Sequence, residues 1–163
     1  MKRMYKMKML IVAAMLVVIG SLGSVAQVNS FSGKWSVDST ASDFGGLAAD
    51  IAAPKIIVVS SVKDSLVVTR TFGAKEPFRE SLKIDGSPVE TIPNGNTLKV
   101  ASVKKDGRAI VFNWHYEMNG NEWRYERTEN WALSPDGKTL TIDRITTMSD
   151  KIDRVKAVYN KSI

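Results

Sequence analysis

The chain contains no cysteine and only one histidine, His115. Without thiols there is no disulfide framework, no lipid-attachment cysteine and no Cys–His pair. One imidazole without thiols is a poor basis for zinc, so no metal and no cofactor is expected. A Ser-His-Asp triad would need His115 to face inward, whereas the local alternation puts it on the wet face beside Arg124. Charge excess is also scarce. Four of the 23 basic residues, Lys2, Arg3, Lys6 and Lys8, lie at the very start, leaving 19 against 17 acidic ones, or +2. The sequence pI of about 9.5 therefore says little about nucleic acid, and no basic run with interleaved aromatics follows. Linkers, low-complexity stretches and solenoid repeats are lacking too.

What is present begins with a leader. The basic start precedes an apolar run from Met9 to Ile19, then Gly20, Ser21 and Gly23, and a small-x-small site at Ser24-Val25-Ala26. This pattern predicts a signal peptide over 1–26, cleaved after Ala26, and hence a periplasmic or secreted protein. The apolar run is short for a bilayer span, and no membrane span is expected in the mature part. Residues 27–163 are long enough for a single domain with its own core.

That domain reads as all-β. Short β-rich runs alternate with turn signals at close spacing, predicting strands at 34–39, 55–63, 66–72, 78–84, 89–92, 97–104, 109–118, 122–133, 139–148 and 152–160. Connections of hairpin length make sequence neighbours sheet neighbours. A sheet of this many strands curls, and closure removes its edges. The expected fold is an antiparallel up-and-down β-barrel of eight to ten strands, with at most one short helix, Leu47 to Ala53, capping one mouth.

Turn residues set expected registers. Asn119-Gly120 suits a two-residue type I′ turn, which places Tyr116 opposite Trp123, Trp114 opposite Tyr125, Phe112 opposite Arg127 and Ile110 opposite Glu129. A four-residue loop, Pro135 to Lys138, places Trp131 opposite Ile142 and Glu129 opposite Arg144. A two-residue loop, Asp150-Lys151, places Arg144 opposite Ala157 and Ile142 opposite Tyr159. A three-residue loop around Gly107 places Val100 opposite Phe112. One wall then becomes aromatic and aliphatic, with Arg127, Glu129 and Arg144 in its middle and Arg70 on an adjoining apolar face.

Burying a lone charge is strongly unfavourable, so such a group needs partners. Two readings follow. In one, Arg70, Arg127 and Arg144 with Glu129 hold the acidic head of an amphipathic ligand, and Phe112, Trp114, Tyr116, Trp123, Tyr125 and Tyr159 bury its apolar part. In the other, the charges satisfy one another. Glu80 and Glu129, both on apolar faces, could serve as paired carboxylates only if their arginine neighbours left them free.

The mature N-terminus reads Phe31-Ser32-Gly33-Lys34-Trp35, then Asp43-Phe44-Gly45-Gly46. Gly33-x-Trp35 inside the first strand of an exported β-meander resembles the lipocalin signature. The resemblance implies that Trp35 closes the barrel base under a basic residue from near the last strand, Arg154 or Lys156. The ending Val158-Tyr159-Asn160-Lys161 resembles the close of fatty-acid-binding proteins, barrels of the same wider group. Their carboxylate-holding Arg corresponds to Ala157 here, and Thr40 to Pro54 is too short for their two-helix lid. The resemblance therefore points to bacterial lipocalin-like secreted proteins and implies non-catalytic binding of a small, anionic, fatty-acid-like molecule. The alternatives are a filled barrel acting through its surface on a protein partner, and a cavity-based enzyme.

Overall fold

The computed structural model describes residues 30–92, 97–106, 109–118 and 124–162. The expected leader, the Asn119-Gly120 turn and Trp123 lie outside the described residues. The elements are β1 (Gly33–Val37), α1 (Ala49–Ala52), β2 (Ile56–Val62), β3 (Ser65–Thr71), β4 (Phe78–Lys83) and β5 (Val89–Thr91), then β6 (Thr97–Asp106), β7 (Ala109–Met118), β8 (Arg124–Leu133), β9 (Thr139–Met148) and β10 (Lys151–Ser162). Period-two alternation makes these runs strands. In β9, Leu140, Ile142, Arg144 and Thr146 are buried, while Asp143 and Ile145 between them are exposed, as side chains of successive strand residues must be.

All ten strands belong to one antiparallel sheet, ordered β4-β3-β2-β1-β10-β9-β8-β7-β6-β5. Each strand pairs with its sequence neighbour, except that β4 and β5 do not pair and β1 closes on β10 instead. The result is a nearly closed up-and-down barrel whose free edges, β4 and β5, face each other across a seam. An isolated bridge, Asp85 with Lys104, spans the seam at one end, and Gly86 N–H donates to Val103 O there at 3.0 Å. Among the described residues no helix is long and apolar enough to cross a membrane.

The registers divide according to their turns. The β8–β9 pairing matches expectation, with Trp131 opposite Ile142 and Glu129 opposite Arg144. The β9–β10 pairing is displaced by two residues: Arg144 faces Val155 and Ile142 faces Ala157. The turn is Ser149-Asp150, Ser149 taking a positive φ of 52°, so Met148 pairs with Lys151. The β7–β8 pairing is also displaced by two, Trp114 facing Arg127 and Phe112 facing Glu129. There Glu117 pairs with Arg124, two residues away from the register a two-residue Asn119-Gly120 turn would set. A shift of two keeps every side chain on its face. The β6–β7 shift is odd. Asp106 pairs with Ala109, and Val100 faces His115 on the outer side. Lys99, Ala101 and Val103 point inward instead and are buried.

The helix is shorter than the Leu47–Ala53 segment predicted for it. It buries Ala52 and Ala53 in the barrel while Ile51 stays exposed. The preceding loop crosses outside β10, where Asp43 and Lys156 exchange backbone hydrogen bonds of 2.8 Å. Gly45 permits that approach. Its φ is +61°, and a Cβ there would lie 2.3 Å from Arg154 O.

Candidate functional site

The barrel base is closed by Trp35, fully buried, whose Nε1 donates to Phe31 O at 2.9 Å. The basic residue over its ring is Lys161, with Nζ 5.1 Å from the centroid. Arg154 and Lys156, the expected partners, are exposed on β10. Gly33, at the start of β1, has φ +136°, and a Cβ there would lie 2.9 Å from Lys161 Cε. The glycine thus makes room for the lysine that covers the tryptophan.

Inside, six charged side chains converge from five strands. Arg70 of β3 occupies the centre. Its Nη1 donates to Glu80 Oε2 at 2.8 Å and its Nη2 to Glu129 Oε2 at 3.3 Å. Three rings surround it, Trp114, Phe112 and Trp131, at 5.0, 5.4 and 5.5 Å from Cζ. Desolvated cation–π contacts of this kind are worth about 2 kcal/mol at best. Glu80 also takes Lys99 Nζ and, at 3.0 Å, Trp114 Nε1. Glu129 takes Arg127 Nη2 and, at 2.9 Å, Trp131 Nε1. The chain of charges thus alternates across the barrel: Lys99, Glu80, Arg70, Glu129, Arg127.

Arg144 stands apart from this chain. Although Glu129 lies opposite it in register, the two form no ion pair. Its Nη1 donates instead to Ala52 O at the end of α1. The expected Glu129–Arg144 pair is therefore replaced by Glu129–Arg127 and Glu129–Arg70. Among the described residues, four cations against two carboxylates leave two positive charges on the interior.

The electrostatics follow. Burial pushes the Glu129 carboxyl up, but Arg127 and Arg70 outweigh it and hold the group at about 2. Burial works against the charged form of Arg127, yet Glu129 leaves its pKa raised. Burial, then repulsion from Arg127, lowers Arg144. Burial and Glu80 push the Tyr116 hydroxyl up to about 12, and burial and Glu129 push Tyr159 up as well. A carboxylate held as firmly ionised as Glu129 is a weak base at neutral pH, which disfavours acid–base chemistry with Glu80.

Two spaces adjoin the network. A chamber of about 200 Å³ opens where β3 ends and β4 begins, lined by Arg70, Phe72, Phe78, Glu80, Trp114, Tyr116 and Arg127. A narrow cavity of about 10 Å³ lies beneath α1, with Arg127, Glu129, Arg144 and Tyr159 on its wall. Phe31, Phe112, Trp131 and Tyr159 pack the interior beside these spaces, each with at most 1% of its surface exposed.

Of the predicted site residues, Arg70, Trp114, Tyr116 and Arg127 meet at the chamber, and Glu129, Arg144 and Tyr159 at the narrow cavity. Phe112 stacks behind Trp114 at 5.4 Å. Tyr125 packs edge-on against Tyr116 at 5.2 Å. His115 lies on the outer face, 3.6 Å from both Glu117 and Glu126. Among the described residues no group of three His, Cys, Asp or Glu could hold a metal ion. Sequence reasoning missed Lys99, Phe72 and Phe78. Lys99 would have been found from a two-residue turn at Gly107-Arg108, because that register turns it inward.

No family model matches the chain, and no curated protein matches it either. Among solved structures it is similar to a secretory abundant heat soluble protein of Ramazzottius varieornatus, with 13% identity and a TM-score of 0.55, covering 82% of this chain and 96% of that one. Zebrafish ileal bile acid-binding protein, solved with cholic acid, gives 12% identity and a TM-score of 0.55, covering 82% and 99%. The fluorescent protein UnaG gives 19% identity and a TM-score of 0.53, covering 83% and 99%. At these identities the likeness is one of fold alone, a nearly closed antiparallel up-and-down β-barrel.

Proposed function

We propose that this barrel binds a small anionic molecule with a compact, aromatic or alicyclic body, without transforming it. The supporting observation is the chamber, where Arg127 and the aromatic rings of Phe72, Phe78, Trp114 and Tyr116 share a wall beside an interior of net positive charge. An anionic head gains charge-assisted hydrogen bonds there while the rings bury its body. The similar barrel solved with cholic acid is consistent with small-molecule binding in this architecture. Size narrows the class. About 200 Å³ is a little more than the ~150 Å³ apolar cavity that admits benzene, so a compact ligand fits better than a long acyl chain. We further propose that the chain acts after export. A mature N-terminus at Gln27, read by mass spectrometry of secreted material, is the expected result, and retention of residues 1–26 would overturn it.

Calorimetric titration with 1-naphthoate and its cationic isostere 1-naphthylmethylammonium tests the ligand class. The carboxylate is expected to bind the more tightly, and Arg127→Ala to weaken it about 10- to 100-fold, the range for a lost charge-assisted bond. Equal affinities for the two ions, or no effect of the substitution, would remove the reading. The packed interior favours a second reading, action through the outer surface. Absence of binding by any compact carboxylate would leave that one standing.

A further inference from the structure

The narrow cavity beneath α1 has a chemistry of its own. Three buried donor atoms on side chains of its wall, Arg127 Nε, Arg144 Nε and Tyr159 Oη, have no hydrogen-bond partner. Arg144 is 8% exposed and Tyr159 fully buried. Buried polar atoms of this kind nearly always have partners, and leaving one unmet costs about 1–3 kcal/mol. The carboxylate on the same wall does not serve them. Glu129 Oε1 is engaged by Arg127 Nη2, and Oε2 by Arg70 and Trp131.

Charge points the same way. Arg144 has no acidic partner within ion-pair distance, and the alternating chain beside it already ends in a cation, Arg127. Two like charges buried together demand a counter-charge. The centre of a water-sized particle can range over about 10 Å³ in this cavity, which leaves room for one water molecule or one monatomic ion. The cavity is too small for a carboxylate-bearing molecule, which separates it from the 200 Å³ chamber.

We infer that the cavity between Arg144, Tyr159 and Arg127 is a site for a single halide ion, chloride in physiological media. The ion accepts from the two Nε–H groups and the tyrosine hydroxyl, and neutralises one of the two excess charges. Because Arg144 also holds Ala52 O, the ion fixes the guanidinium that anchors α1 over the lumen. It is a structural counter-ion, occupied whether or not the chamber holds a ligand. A water molecule would satisfy some of the donors but leave the charge uncompensated.

Crystals of the mature protein grown in sodium bromide provide the test. A single anomalous peak within hydrogen-bond distance of Arg144 Nε and Tyr159 Oη is expected. In solution, Tm should rise with chloride as mass action requires, and not with gluconate at matched ionic strength. Tyr159→Phe, which removes one donor while keeping the ring, should weaken the chloride dependence several-fold. No bromide peak at that position, or equal Tm in the two salts, overturns the site. Naphthoate binding in gluconate buffer is read separately, so loss of the halide and loss of the chamber ligand are distinguishable.

Discussion

Glu129, like Glu80, meets two cations and an indole at once: it holds Arg70, Arg127 and the Trp131 indole. Its carboxyl sits at about 2 in the folded chain against an ordinary 4.5. A depressed carboxylate contributes stability above its unfolded pKa and loses it as pH falls through the folded one. The contribution is therefore complete above about pH 4.5 and disappears towards about 2, on the order of 3 kcal/mol in all. Glu129→Gln should start less stable and show a shallower fall of the urea midpoint between about pH 5 and pH 2. A variant with the wild-type acid slope would show that the ion pairs at Glu129 do not govern acid unfolding. The alternation of Ile110, Phe112 and Trp114 revealed which residues face inward. It did not reveal partners, since the long side chain of Arg70 reaches a carboxylate on β8, a strand that β3 does not pair with.

At the scale of the element, β4 and β6 belong to different edges yet are tied together inside. Glu80 holds Lys99 across the seam while also meeting Arg70 and Trp114. Replacing it by Gln leaves two buried cations short of a partner, a cost of about 3–5 kcal/mol. Glu80→Gln should therefore speed amide hydrogen exchange in β4, β5 and β6 more than in β8 and β9; equal acceleration throughout would show that the tie is not local. This tie was not legible in the sequence. Lys99-Val100-Ala101-Ser102-Val103 alternates acceptably in either register, so only the turn decides, and choosing three residues over two turned Lys99 outward. The Ser134 to Lys138 turn was legible for the opposite reason. There, one register buries Trp131, Leu140 and Ile142 and packs Leu133 against them. The β7–β8 and β9–β10 registers were each misjudged by two residues, an error the faces could not report because parity was kept.

At the scale of the whole molecule, closure depends on the two ends of the chain. β1 pairs with β10, Ser36 Oγ meets Ser162 Oγ at 2.7 Å, and Lys161 caps Trp35. These contacts span 126 residues of sequence, which makes closure entropically expensive and late in folding. Lys161→Ala should lower unfolding stability by about 0.5–1 kcal/mol through the lost cation–π contact, while Arg154→Ala and Lys156→Ala change it by less than about 0.5 kcal/mol. Equal losses for all three would deny Lys161 its special place. Along the line opposite those ends, one bridge and the side chains of Glu80 and Lys99 fasten the wall where a continuous ladder would otherwise run. A cylinder clasped in this way behaves like a slit bracelet. Widening its girth would undo the Glu80–Lys99 clasp and the Gly86–Val103 main-chain bond while every ladder between paired strands stays whole.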